Sequence, residues 1–125
     1  MKKVISSPLA PAAVGPYSQA IETNGTLYVS GQLPIDAATG KFPEGGVREQ
    51  LEQVFKNIGH VLSEAGYDFS NVIKTTVYLQ DMADFGTLNE VYSKYFSEPY
   101  PARVAFQVAA LPKGALAEAE VIAVK

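Results

Sequence analysis

Apolar residues recur along this chain with two periods, and the changes between them mark out its elements. Tyr17 to Thr23 and Thr26 to Ser30 are strand-like runs flanking Asn24-Gly25. Asn-Gly between such runs signals a two-residue hairpin, because a type I′ turn needs positive φ at both central positions. Alternation puts Tyr17, Gln19 and Ile21 on one face of the first run. Gly31 to Gly46 holds two prolines and four glycines and reads as a loop. From Val47 the spacing becomes helical: Leu51, Val54, Phe55, Ile58, Leu62 and Ala65 form one stripe, and Gly66 stands where a C′ glycine belongs. Val72 to Leu79 is β-branched and predicts a strand with Ile73, Thr75, Val77 and Leu79 on one face. A second helix starts near Asp81, with Asp84 adding favourable charge to its first turn. Its stripe is Phe85, Leu88, Tyr92, Tyr95 and Phe96, and Pro99 and Pro101 stop it. Ala102 to Val108 and Ala117 to Val124 are the last strands, separated by Leu111-Pro112-Lys113-Gly114. The opening Pro8 to Pro16 is extended or turning. The order is therefore β-β-α-β-α-β-β. Two amphipathic helices cover only one face of such a sheet, so the other face must meet something else.

That uncovered face directs attention to the last two strands. Val104, Phe106 and Val108 share one side of the first, and Arg103, Ala105 and Gln107 share the other. The apolar set is expected under the helices, which sends Arg103 to the uncovered side. In the final strand Glu118 and Glu120 alternate with Ala117, Ala119 and Val121. Spacing leaves two readings of Arg103 open. One is an ion pair with Glu118 or Glu120; the other is a clamp for a substrate carboxylate, which a planar five-donor guanidinium grips bidentately.

Composition narrows the chemistry. The 125 residues suit one domain, 1–125, at ~150 residues per typical domain. With 47% hydrophobic and 18% charged residues and mean hydropathy +0.04, the chain is of globular type. There is no cysteine, which excludes disulfides, thiolate metal sites and cysteine nucleophiles. The single histidine, His60, makes a multi-histidine metal site impossible, and it lies off the helical stripe. The net charge of −3 and the scattered lysines argue against nucleic acid as the main partner. No apolar run approaches the ~20 residues of a membrane span, and the start lacks a signal-peptide core, so a cytoplasmic location is expected. Gly45-Gly46 lacks the Gly-Lys-Ser/Thr ending of a phosphate loop. Lys74 reads as a snorkelling lysine and Asn89 as a helix-surface hydrogen bonder.

Six segments, in order through nearly the whole chain, carry a further signal. They are Gly15-Pro16-Tyr17-Ser18-Gln19-Ala20, Tyr28-Val29-Ser30-Gly31-Gln32-Leu33-Pro34, Val72-Ile73-Lys74-Thr75-Thr76-Val77-Tyr78-Leu79, Phe85-Gly86-Thr87-Leu88-Asn89, Tyr100-Pro101-Ala102-Arg103 and Leu111-Pro112-Lys113-Gly114. Together they resemble the RidA family, also called YjgF/YER057c/UK114. The resemblance implies a chorismate-mutase-like α+β fold, with a mixed sheet and two helices on one face. It also implies a homotrimer with an inner barrel and sites between subunits. It implies hydrolysis of 2-imino acids (2-iminobutanoate, 2-iminopropanoate) to 2-oxo acids and ammonia, without a cofactor, protecting pyridoxal-phosphate enzymes from reactive intermediates. By position, Arg103 matches the arginine that binds the substrate carboxylate, and Glu118 matches the glutamate that positions or activates water. Tyr17, Ser30, Gly31 and Asn89 match pocket-lining positions. Ala105 stands where relatives often have cysteine, serine or threonine, which leaves only its backbone N–H for the substrate. The alternative reading is a non-catalytic protein of the same family that binds small carboxylates or regulates.

Overall fold

The computed structural model describes residues 1–125. Hairpin strands β2 (Ala20–Thr23) and β3 (Thr26–Gln32) meet at the expected turn, with φ of 51° at Asn24 and 76° at Gly25. Ahead of them lies an unexpected strand, β1 (Lys3–Ile5), paired antiparallel to β2. Three residues on a sheet edge are too few to show alternation. The strand β2 begins at Ala20 because Gln19 turns inward. Its side chain accepts from Ser7 N–H (2.7 Å) and donates to the carbonyls of Ser7 (3.1 Å) and Pro11 (2.9 Å). Tyr17, Gln19 and Ile21 therefore do not share a strand face: Gln19 is buried and Tyr17 is exposed.

The helix α1 (Val47–Glu64) buries Leu51, Val54, Phe55, Ile58 and Leu62 along the stripe predicted. Glu49 Oε1 accepts from Gly46 N–H at its start, and Gly66 takes φ of 80° beyond its end. Two buried amides on α1 fasten neighbouring loops. Gln50 accepts from Leu116 N–H at 2.8 Å, and Asn57 donates to the carbonyls of Leu33 and Ile35 at 3.0 and 2.9 Å. Asp81 caps a short 3₁₀ turn that leads into α2 (Phe85–Tyr95).

Strands β4 (Val72–Leu79), β5 (Ala102–Gln107) and β6 (Ala117–Val124) complete a six-stranded sheet in the order β1-β2-β3-β6-β4-β5. Only β4 and β5 run parallel, because α2 carries the chain back between them. The central β6 buries Ala117, Ala119, Val121 and Ala123, and these small residues let α1 approach the sheet closely. Phe55 of α1 packs against the rings of Tyr92, Tyr95 and Phe96, with centroids 5.4–5.8 Å apart. No helix is long and apolar enough to cross a membrane.

Two face assignments differ from expectation. Val104 and Phe106 lie on the helix-free side, 44% and 42% exposed, while Arg103 and Ala105 turn toward the helical layer. Alternation shows which residues share a face, not which face meets the helices. On this edge strand the apolar side is the one left open. Ile73 is likewise 49% exposed, because the β4–β6 register shifts between Val72 and Lys74 and Val72 takes its place in the core.

Candidate functional site

The sheet register separates the two residues expected to do the chemistry. Arg103 pairs with Thr75 on β4, and Glu118 pairs with Tyr78 on the same strand. Thr75 and Tyr78 differ by three positions, an odd number, so their side chains leave opposite faces of the sheet. Thr75 is fully buried under the helices, and Tyr78 lies on the open side. Arg103 and Glu118 follow them. No ion pair between Arg103 and either glutamate exists within the chain; the salt bridges are Arg48–Glu90 and Lys94–Glu52.

On the helical side, Phe85, Asn89 and Tyr92 recur at i, i+4 and i+7 on α2 and converge on Arg103. The guanidinium stands 4.8 Å from the Tyr92 ring centroid and 5.4 Å from that of Phe85. Arg103 NH1 donates to Asn89 Oδ1 at 2.9 Å. Tyr92 is itself anchored at 2.9 Å to the buried Thr75 hydroxyl, and burial pushes its own hydroxyl pKa up. A cleft of about 360 Å³ opens here, walled by Tyr100 and Pro101 as well as Asn89, Tyr92 and Arg103. The result is a cation held by aromatic faces and one amide, with no neutralising carboxylate. Ala105 follows on the same side of β5, half-buried against the core. Since β5 is an edge strand, part of its backbone has no strand partner.

On the open side, Glu118 borders a second cavity of about 430 Å³, lined by Tyr17, Ser30, Gly31 and Lys113 among others. The β3–β6 register shifts between Val29 and Gln32, so Ser30 and Gly31 sit in an irregularity of the strand; such bulges re-aim side chains next to functional sites. Ser30 Oγ donates to the Ser18 carbonyl at 2.6 Å and fixes the chain before the hairpin. Gly31 leaves room that Glu118 uses: a Cβ there would come within 2.0 Å of Glu118 Oε2. Partial burial, and then the charge of Glu120, raise the Glu118 pKa above its ordinary value. Gly31→Ala is expected to push the carboxylate aside and lower activity at least tenfold. The fold should survive, since the clash is with a flexible side-chain end, and a thermal melt beside a rate assay checks both.

The structure thus gathers the expected residues into two groups: Arg103, Asn89 and Ala105 on one side, and Glu118, Tyr17, Ser30 and Gly31 on the other. Phe85, Tyr92, Tyr100 and Lys113 join them without having been singled out for the site from sequence. The i, i+4, i+7 spacing on α2 is the signal that points to the first two. No three histidine, aspartate or glutamate side chains gather as metal ligands.

These features define a class: an α+β chain with two helices over one sheet face, an uncompensated arginine on that side and a half-buried carboxylate on the other. Residues 7–125 match the family described as endoribonuclease L-PSP, and the chain belongs to it, the RidA/YjgF family. It is 54% identical over 125 residues to the mouse protein named 2-iminobutanoate/2-iminopropanoate deaminase, covering the whole chain and 93% of that protein. RidA from the Antarctic bacterium Psychrobacter superposes with a TM-score of 0.94 at 49% identity, covering 98% of this chain and 99% of that one. E. coli TdcF, solved with bound serine, gives 0.93 at 39% identity and 98% coverage of both chains.

Proposed function

We propose that this chain, acting as one domain over residues 1–125, hydrolyses 2-imino acids to 2-oxo acids and ammonia in the cytoplasm, as a closed trimer. The observation that carries the reading is the setting of Arg103, charged, oriented by Asn89, Phe85 and Tyr92, and lacking a carboxylate partner. A 2-imino acid supplies that partner. Its carboxylate lies one bond from the C=N carbon, so a bidentate grip fixes the reacting atom as well. The names of close relatives, deaminases of 2-iminobutanoate and 2-iminopropanoate, support the same substrates.

Since Arg103 and Glu118 leave opposite faces of one sheet, a second copy supplies the missing half of each site. Its Glu118 cavity, with Tyr17, Ser30 and Gly31, faces the Arg103 cleft of the first. Two different patches meeting head to tail close into a ring when the rotation allows. The exposed Tyr28, Val104 and Phe106 then become interior. The inner barrel of the trimer is built from these open sheet faces.

The chemistry balances without any further reactant. Arg103 holds the carboxylate of the protonated imine, and the backbone N–H groups near Gly31 and Ala105 share that load. Tyr17 closes over the substrate. Water held by Glu118 attacks the C=N carbon, the C–O bond forms, and Glu118 takes the proton that water loses. Glu118 returns that proton to the nitrogen of the carbinolamine. The C–N bond then breaks, ammonia leaves, and the remaining hydroxyl proton passes to Glu118 as the C=O bond forms, then to the released ammonia, which departs as ammonium and leaves Glu118 ionised again. Iminium carbons react readily with water, so positioning provides most of the acceleration.

Two measurements test this. When a threonine dehydratase generates 2-iminobutanoate, adding the protein should reduce the imine trapped by semicarbazide; unchanged trapping leaves a binding protein without turnover. Second, Arg103→Ala and Glu118→Gln chains should each keep only a small residual rate, yet regain activity when co-refolded. Random mixing in a closed ring of three rebuilds about one site in four. Absence of any recovery would show that the two groups do not meet across subunits.

A further inference from the structure

Glu118 and Glu120 share the open face of β6 and stand two residues apart, a separation of ~6–7 Å along a strand. Tyr78 lies between them in function: it is the register partner of Glu118, yet its hydroxyl donates to Glu120 Oε1. Tyr78 is held edge-on against Phe106, centroids 5.3 Å apart at 90°. A tyrosine has one proton to donate. Spent on Glu120, it leaves the lone pairs of Glu118 available to water.

We propose that Glu120, oriented by Tyr78, is a positioning residue whose negative charge keeps Glu118 basic enough to take the proton of the attacking water. The inference rests on the reading of Glu118 as the base. Tyr78 keeps its proton throughout, its pKa being pushed up to about 12 by the hydrogen bond to Glu120 and by burial. The groups facing this pair bear on the argument. Glu118 meets Tyr78 from β4, and Tyr17 and Lys113 from the loops that line its cavity. Glu120 pairs with Thr76 on β4 and shares a hollow with Tyr28, Tyr17 and Lys2. None of the lysines forms a salt bridge with either glutamate. Within the chain no salt-bridged cation offsets the like charge of Glu120 at Glu118, and the cation facing Glu118 in the proposed assembly is the Arg103 that holds the substrate carboxylate. A base whose pKa approaches the working pH drives proton transfer harder than an ordinary carboxylate does.

The test is the pH dependence of kcat/KM for 2-iminobutanoate hydrolysis, corrected for the spontaneous reaction, in wild type, Glu120→Gln, Glu120→Asp and Glu118→Gln. Glutamine still accepts the Tyr78 hydrogen bond, so a purely structural role for Glu120 predicts no movement of the acidic limb. The proposal predicts that Glu120→Gln moves this limb down by about two pH units, the size of a Coulomb interaction over ~6–7 Å at an effective dielectric constant of ~20. The neutral-pH rate should fall with it, and Glu120→Asp, which keeps the charge, should restore most of both. If Glu118→Gln loses the limb while Glu120→Gln leaves it in place, the role of Glu120 is refuted and Glu118 stands as the base. If Glu118→Gln keeps the limb, the base itself is misassigned and the inference goes with it.

Discussion

Arg103→Ala is expected to lower kcat/KM for 2-imino acid hydrolysis about a thousandfold while the assembly remains folded. In the proposed role the guanidinium offers two parallel charge-assisted hydrogen bonds to the substrate carboxylate, each worth ~1.5–3 kcal/mol, and every 1.4 kcal/mol is a factor of ten. Little of this is spent on the fold. Arg103 is partly exposed, makes no salt bridge, and touches its surroundings through Phe85, Tyr92 and Asn89. Loss of such cation–π contacts costs stability ~1 kcal/mol. Arg103→Lys should recover only part of the rate, because an ammonium cannot present the same planar fork. Turnover assays paired with a thermal melt and a light-scattering mass decide the matter. Near-normal turnover in the alanine variant would remove the carboxylate clamp from the mechanism.

The largest expected effect on stability falls on Phe55→Ala. Phe55 is fully buried and is the ring around which Tyr92, Tyr95 and Phe96 pack. Truncating a buried phenylalanine costs ~3–5 kcal/mol, the lost transfer free energy plus the cavity left behind. Domains of this size hold only ~5–15 kcal/mol in total, so the midpoint of thermal unfolding should fall on the order of 15 °C. Phe55→Leu, which keeps most of the volume, should lose much less. The damage also reaches the site: Tyr92 contacts Phe55 on one side and carries the Arg103 guanidinium on another. At temperatures where the alanine variant is still folded, KM should therefore rise. Urea or thermal unfolding within 1 kcal/mol of wild type would contradict this packing account.

Much of the architecture could be read from residues whose local physics has a single outcome. Asn24-Gly25 admits one tight turn, and the stripe from Leu51 to Leu62 with Gly66 beyond it admits one helix. What escaped reading depends on partners distant in the chain. Alternation puts Gln19 on a strand face, but four backbone groups of the Ser7 to Pro11 strap claim its side chain. The β5 faces are the reverse of what alternation suggests, because the apolar Val104 and Phe106 lie on the helix-free side and take no part in the core. The same inversion concealed how Arg103 is held. Its companions Phe85 and Tyr92 looked like ordinary helix-stripe residues, and only the fold shows that the stripe's edge overhangs β5. For Glu118 and Gly31 the resemblance pointed to the positions. The reason position 31 must lack a side chain became visible only with the carboxylate lying against it.

The odd spacing of Thr75 and Tyr78 has a consequence beyond geometry. On the proposed function, a chain that puts its cation and its base on opposite sides of one sheet is inert when folded alone, however perfect that fold is. On the proposed assembly, activity is a property of concentration. In dilute solution it climbs more steeply than the amount of chain, then becomes linear once rings predominate. A newly made monomer therefore exposes an arginine and a glutamate that cannot act together, and a cell acquires the activity only after enough copies have accumulated to find one another.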